Sequence, residues 1–149
     1  MTNLASTLQR TATEHPEHTA LKLDEFTLSY QELAQKAARV AGWLQTLGVR
    51  PGDRVAVLLP NLAEMPVVYY GILWAGATVV PMNPLFKSRE IAYTLTDSEA
   101  TALFAWAAAG EEAAKGADEA GCRLIPVGAD FLAQVDTHAT VDLIERESA

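Results

Sequence analysis

Positive charge, cysteine and histidine are all scarce in this 149-residue chain, and each shortage excludes a class of function. Its 11 basic residues stand against 19 acidic ones, for a formal net charge of -8. Phosphate backbones and anionic lipid surfaces are bound through basic footprints, so a nucleic-acid partner is excluded and a polyanionic surface disfavoured. The single cysteine, Cys122, cannot close an internal disulfide and has no histidine or second cysteine near it to complete a metal site. Set between Gly121 and Arg123, it reads as a buried thiol at a strand end. The histidines, His15, His18 and His138, show no metal-ligand spacing and read as surface residues.

A leader and a membrane span are missing too. The stretch Met1 to Arg10 holds no apolar run long enough for a signal peptide, which points to a cytoplasmic location. From Met65 to Phe86 there is no charged residue over 22 positions, about the length that crosses a bilayer. Pro66, Gly71, Gly76, Pro81 and Pro84 interrupt that run. It divides into a buried helix and the β-branched Thr78-Val79-Val80, so no transmembrane segment is expected.

What remains is the composition of one globular domain: 50% apolar and 20% charged residues, in a chain long enough to bury a core. Leu4 and Leu8, with Ala5 and Ala12, recur at helical spacing, predicting a helix from Leu4 to Glu14 that ends at His15-Pro16. Thr19 to Leu23 and Phe26 to Leu28, joined by Asp24-Glu25, predict a β-hairpin. Ser29-Tyr30-Gln31-Glu32 has the form of a capping box and opens a helix whose stripe is Leu33, Ala37, Val40, Ala41, Leu44 and Leu47. Gly48 then takes the left-handed closing position, with Val49 behind it.

Pro51-Gly52-Asp53 is a turn, and Val55 to Leu59 reads as a strand covered on both faces. A helix from Leu62 to Ala75, capped by Asn61 and with Glu64 in its first turn, leads to a second buried strand, Thr78 to Pro81. A helix capped by Ser88 runs to about Thr96, a third strand spans Thr101 to Ala105, an alanine-rich helix Ala108 to Ala120, and a fourth strand Arg123 to Val127. The tail from His138 to Arg146 is read as the start of another helix. Strands alternating with helices predict an α/β fold: a parallel sheet with helices on both faces, plus the N-terminal hairpin.

Such a sheet binds ligands at the carboxyl ends of its strands, and little chemistry is found there. No glycine-rich run ends in Lys-Ser or Lys-Thr, no Gly-x-Gly-x-x-Gly follows a strand, and no Gly-x-Ser-x-Gly elbow occurs. Asp53 reads as a turn residue, Glu64 as a capping residue, and Tyr69, Tyr70 and Trp74 as core.

The order of the signals is more specific. Thr27-Leu28-Ser29-Tyr30-Gln31-Glu32-Leu33, then Gly48-Val49-Arg50-Pro51-Gly52-Asp53-Arg54-Val55-Ala56, then Asn61 with Glu64, then Gly76-Ala77 with Pro81-Met82-Asn83-Pro84 resemble the N-terminal region of AMP-forming acyl-CoA synthetases. That adenylate-forming superfamily also includes aryl-CoA ligases, firefly luciferase and the adenylation domains of peptide synthetases. The resemblance covers roughly Leu4 to Val127. It implies that residues 1–149 are the N-terminal part of the large domain of a fatty-acid or related carboxylate–CoA ligase. ATP, CoA and Mg2+ are then the implied cofactors of the parent enzyme, and none is expected bound to this chain alone.

In the family the Ser/Thr/Gly-rich phosphate loop closed by Pro-Lys, the magnesium-binding glutamate and the C-terminal domain with its catalytic lysine lie further along than these residues reach. The lysines here, Lys22, Lys36, Lys87 and Lys115, follow no such loop. No catalytic residue is therefore expected, and the chain alone should be inactive. In some aryl-CoA ligases a basic residue near the Asn-Pro segment meets the nucleotide phosphate of CoA. The segment here is Asn83-Pro84-Leu85-Phe86-Lys87-Ser88-Arg89, with Leu85 where those ligases carry arginine; Lys87 and Arg89 are the nearest basic groups for that contact, the alternative being that both are solvated surface residues. A phosphate there would also meet the field of the helix start. The alternative is a short non-catalytic α/β interaction module of the same family. Alone, the chain is expected to self-associate, as a homodimer in the simplest case.

Overall fold

The computed structural model describes residues 4–144. Helix α1 (Leu4–Glu14) buries Ala5 and Leu8, and strands β1 (Thr19–Leu23) and β2 (Phe26–Ser29) pair antiparallel behind it. Asp24 turns this hairpin with a φ of 54°. Helix α2 (Tyr30–Thr46) begins in the expected capping box: Ser29 Oγ accepts the Glu32 amide at 3.1 Å, and Glu32 Oε1 accepts the Ser29 amide at 2.9 Å. It ends with the Val49 amide on the Leu44 carbonyl at 3.1 Å and the Gly48 amide on the Gln45 carbonyl at 3.0 Å. Gly48 sits at a φ of 86°, where a Cβ would be strained.

The second half alternates β3 (Arg54–Leu58), α3 (Glu64–Trp74), β4 (Thr78–Pro81), α4 (Ser88–Ser98), β5 (Ala102–Trp106), α5 (Gly110–Ala120), β6 (Arg123–Val127) and a short α6 (Phe131–Val135). The sheet is parallel, in the order β4-β3-β5-β6, with Val55 beside both Val79 and Ala102, and Leu103 beside Leu124. Successive residues of its central strands serve opposite faces. Val55, Val57 and Phe104 pack with α1, α2, α3 and α6; Ala56, Leu58, Leu103 and Ala105 pack with α4 and α5. Helices thus cover both faces, as the unbroken apolar runs predicted.

Five local expectations are corrected. Strand β4 lies at the sheet edge, with Thr78 and Pro81 exposed and Val79 and Val80 half-buried, because only β3 flanks it. Asn61 does not cap α3. Pro66 has no N–H to give the Leu62 carbonyl, which takes the Met65 amide at 3.1 Å in a tighter turn, and the helix starts at Glu64 with no side-chain cap. Ser88 is the first residue of α4 and Lys87 precedes it; lysine has no acceptor, so only half a capping box forms, with Glu90 Oε1 on the Lys87 amide at 3.2 Å.

Cys122 is half-buried instead of buried, and what burial it has pushes its thiol up to about 11. Residues 139–144 form no helix. They run as an extended strap whose backbone groups bond outward: Arg39 donates to the His138 carbonyl at 2.6 Å, Trp74 Nε1 to the Val141 carbonyl at 2.8 Å, and the Ile144 amide to the Trp74 carbonyl at 2.9 Å. The remainder of the expected tail helix, residues 145 and 146, lies outside the described residues.

Candidate functional site

At its carboxyl end β4 delivers the chain into the segment Asn83 to Arg89. Buried Met82 anchors the exit, its amide bonded to the Val57 carbonyl at 2.9 Å. Asn83 then folds a tight loop: its Oδ1 accepts the Leu85 amide at 2.9 Å and its carbonyl the Phe86 amide at 3.0 Å. Phe86 tucks against the α4/α5 core, while Leu85 stands 82% exposed. Lys87 and Arg89 follow, both exposed and so free to meet a ligand from solvent.

The start of α4 is already partnered by anions. Besides Glu90 on Lys87, Glu112 reaches across from α5 and its Oε2 accepts the Ser88 amide at 2.8 Å. That bond, then one from the Ser88 hydroxyl, holds the Glu112 carboxyl below its ordinary range; Lys115 and Lys87 add to the effect and desolvation opposes it. The two helices approach closely because α5 carries Gly116 opposite Ile91, where a Cβ would lie 2.6 Å from the isoleucine side chain. Two backbone amides at this helix start, those of Lys87 and Ser88, are thus engaged by carboxylates.

The other residues singled out in the sequence fall into structural roles. Asp53 Oδ2 accepts the Arg50 amide at 2.9 Å and so closes its own turn. Glu64 opens α3, Tyr69 and Tyr70 meet edge to face at 5.6 Å, and Trp74 is buried. His15 and His18 stack on each other at 4.7 Å on the surface. His138 is only partly exposed, stacked on Trp43 at 4.4 Å, a contact between residues too far apart in sequence for any local pattern to reveal. Among the described residues no group of three or more His, Cys, Asp or Glu is placed to hold a metal ion.

Two grooves lie away from this segment. One of about 490 Å³ runs between α1, α2 and the strap, floored by Ala12, Ala34, Ala38 and Trp74; one of about 390 Å³ lies between α1 and the hairpin, beside Leu21, Tyr30 and Tyr70. Neither is lined by a carboxylate, a histidine or a cation. No helix among the described residues is long and apolar enough to cross a membrane.

Comparison with known proteins agrees with this architecture. The family model of the AMP-binding enzyme matches residues 8–147. A long-chain-fatty-acid–CoA ligase of Bacillus subtilis is 37% identical over 100 residues, covering 67% of this chain. A benzoate CoA ligase from Burkholderia xenovorans superposes with a TM-score of 0.87 at 31% identity, covering 95% of this chain. A fatty acyl CoA synthetase of Mycobacterium tuberculosis superposes with a TM-score of 0.82 at 30% identity over the same share. The chain spans 18% of the length of the Bacillus ligase and 29% of each of the two solved structures.

Proposed function

This chain belongs to the family of AMP-binding enzymes, and we propose that residues 1–149 are the N-terminal part of the large domain of an AMP-forming acyl-CoA synthetase, inactive when alone. The parent reaction has two steps. A carboxylate oxygen of a fatty or related acid attacks the α-phosphorus of ATP, giving an acyl-adenylate and pyrophosphate. The thiol of CoA then attacks the acyl carbonyl, and AMP leaves. Mg2+ would supply charge neutralisation on the phosphates in the first step. A cytoplasmic location suits these substrates.

The observation that carries the inactivity is the placement of the lysines. Lys22 is in a hairpin strand, Lys36 is paired with Asp136 at 3.0 Å, Lys87 precedes α4, and Lys115 is on α5. None closes a glycine-rich loop after a strand, and stabilisation of the transferring phosphoryl charge needs such positioned cations and amides. ATP–pyrophosphate exchange dependent on a fatty or aromatic acid is therefore expected at background for the 149-residue chain. Exchange clearly above a no-protein control, in a preparation free of host synthetases, overturns this reading.

Within the chain, the proposed contribution is to CoA. The exposed Lys87 and Arg89, beside the Asn83 loop, are matched to a nucleotide phosphate. In the parent enzyme, neutralising both should raise the KM for CoA and leave adenylation unchanged; an unmoved KM rejects the assignment.

A further inference from the structure

The carboxylate of Glu112 is supplied from a different helix to the very segment assigned to CoA. Its Oε2 accepts the Ser88 amide at 2.8 Å, between Lys87 and Arg89 in the sequence, and it feels the fields of Lys87 and Lys115. The close α4–α5 approach at Gly116 and Ile91 brings the backbone of α5 near the start of α4, within reach of the Glu112 side chain. A negative charge held beside the proposed phosphate contact repels the incoming phosphate and partly neutralises Lys87.

We propose that Glu112 is a resident anion that sets how tightly the Lys87–Arg89 segment takes the nucleotide phosphate of CoA. The inference rests on the assignment of that segment to CoA. Glu112 is a positioning residue in this scheme: it touches Ser88 and acts on the ligand through charge. With Glu90 on the neighbouring amide, it occupies two of the backbone donors at the helix start, those of Lys87 and Ser88.

The test is the KM for CoA of the parent enzyme, measured beside its adenylation rate, with Glu112 varied. Glu112→Gln keeps an oxygen for the Ser88 amide and removes the charge; Glu112→Ala removes both. A unit charge several Å from the ligand in water changes affinity by about two- to threefold, so Glu112→Gln should lower the KM for CoA by about that factor, and added salt should erase the gain. If Glu112 is only a structural clamp, Glu112→Gln keeps the KM of the unaltered enzyme and Glu112→Ala raises it; that result overturns the proposal. A companion Lys87→Gln/Arg89→Gln enzyme separates the two readings. If its KM for CoA rises while Glu112→Gln gains nothing, the segment assignment stands and the role of Glu112 falls. If its KM for CoA is unchanged, both fall together.

Discussion

Trp74 holds the strap from both of its ends: its indole Nε1 donates to the Val141 carbonyl at 2.8 Å, and its own carbonyl accepts the Ile144 amide at 2.9 Å. A helix residue thereby binds an extended segment that has no ladder of its own. Trp74 is 5% exposed, and the Val141 carbonyl is the partner of its indole N–H.

Trp74→Phe should expose that dependence. It removes the donor, leaves the Val141 carbonyl without it and opens a small void, for a combined loss of about 2 to 3 kcal/mol. For a chain of this size that lowers Tm by about 4 to 12 °C. Hydrogen exchange at the Ile144 amide should accelerate more than exchange in β3 or β5. Equal acceleration everywhere would mean that the strap is not held locally.

Gly71 and Gly48 should fail for different reasons. A Cβ on Gly71 would run into the Val40 side chain where α2 and α3 approach, so Gly71→Ala forces the helices apart at a cost of about 1 to 3 kcal/mol, outweighing the roughly 1 kcal/mol gained in helix propensity. Gly48 has nothing within 4 Å of its would-be Cβ but a φ of 86°. Gly48→Ala should therefore cost only its backbone strain, about 1 to 2 kcal/mol. Urea unfolding measures both. A repacked core should also change the near-ultraviolet signal of Trp43 and Trp74 in Gly71→Ala alone.

Most of the fold was legible in the sequence because local and global signals agree. Val55 to Leu59, Gly48 after its helix, and Ser29 with Glu32 each state their structure within a few residues. The misreadings occur where a distant group decides. Asn61 offered a cap, but Pro66 shifted the helix start; Ser88 looked like a cap until Lys87 took that place and Glu112 arrived from α5 to take its amide. The tail looked helical in isolation and is extended because Trp74 and Arg39 offer it partners. Thr78 to Pro81 looked buried since apolar content does not distinguish an edge strand from a central one. The segment assigned to CoA rested on family likeness, for exposed cations carry no periodic signal.

Acid should break the hydrogen bond between Glu112 on α5 and the Ser88 amide at the start of α4. The Glu112 carboxyl titrates below its ordinary value of 4.5 because the folded chain hydrogen-bonds its charged form. A depressed folded-state value means that the interaction is fully present above the unfolded value and is lost as pH falls through the folded one. The Ser88 amide signal should hold steady from neutral pH to about 4.5 and move only below it. In Glu112→Gln that acid transition should be absent, while the rest of the spectrum titrates as before.

Of the two edge strands of the sheet, β4 and β6, the edge at β4 should drive association of the chain when it is expressed alone. Strand β4 bonds β3 on one side only, and its outer amides and carbonyls face away from the sheet described here. Unpaired edges recruit other chains unless a charge, a proline, a bulge, a covering element or shortness blunts them; β4 is only four residues long, and its one proline, Pro81, stands at its last position. Here Thr78 and Pro81 are exposed at its two ends and Val79 and Val80 are half-buried between them, so no charged side chain guards the strand itself. A symmetric dimer satisfies the edge with one self-complementary contact. The net charge of -8 opposes it, but exposed charges are screened over roughly 8 Å at physiological salt. Sedimentation at micromolar concentration should show species heavier than the 16.0 kDa monomer, and Thr78→Lys, which sets a charge on the exposed edge, should shift the distribution toward monomer. A single monomeric species in the parent chain rejects the prediction outright; association that Thr78→Lys leaves unchanged would place the contact elsewhere and reject β4 as its seat.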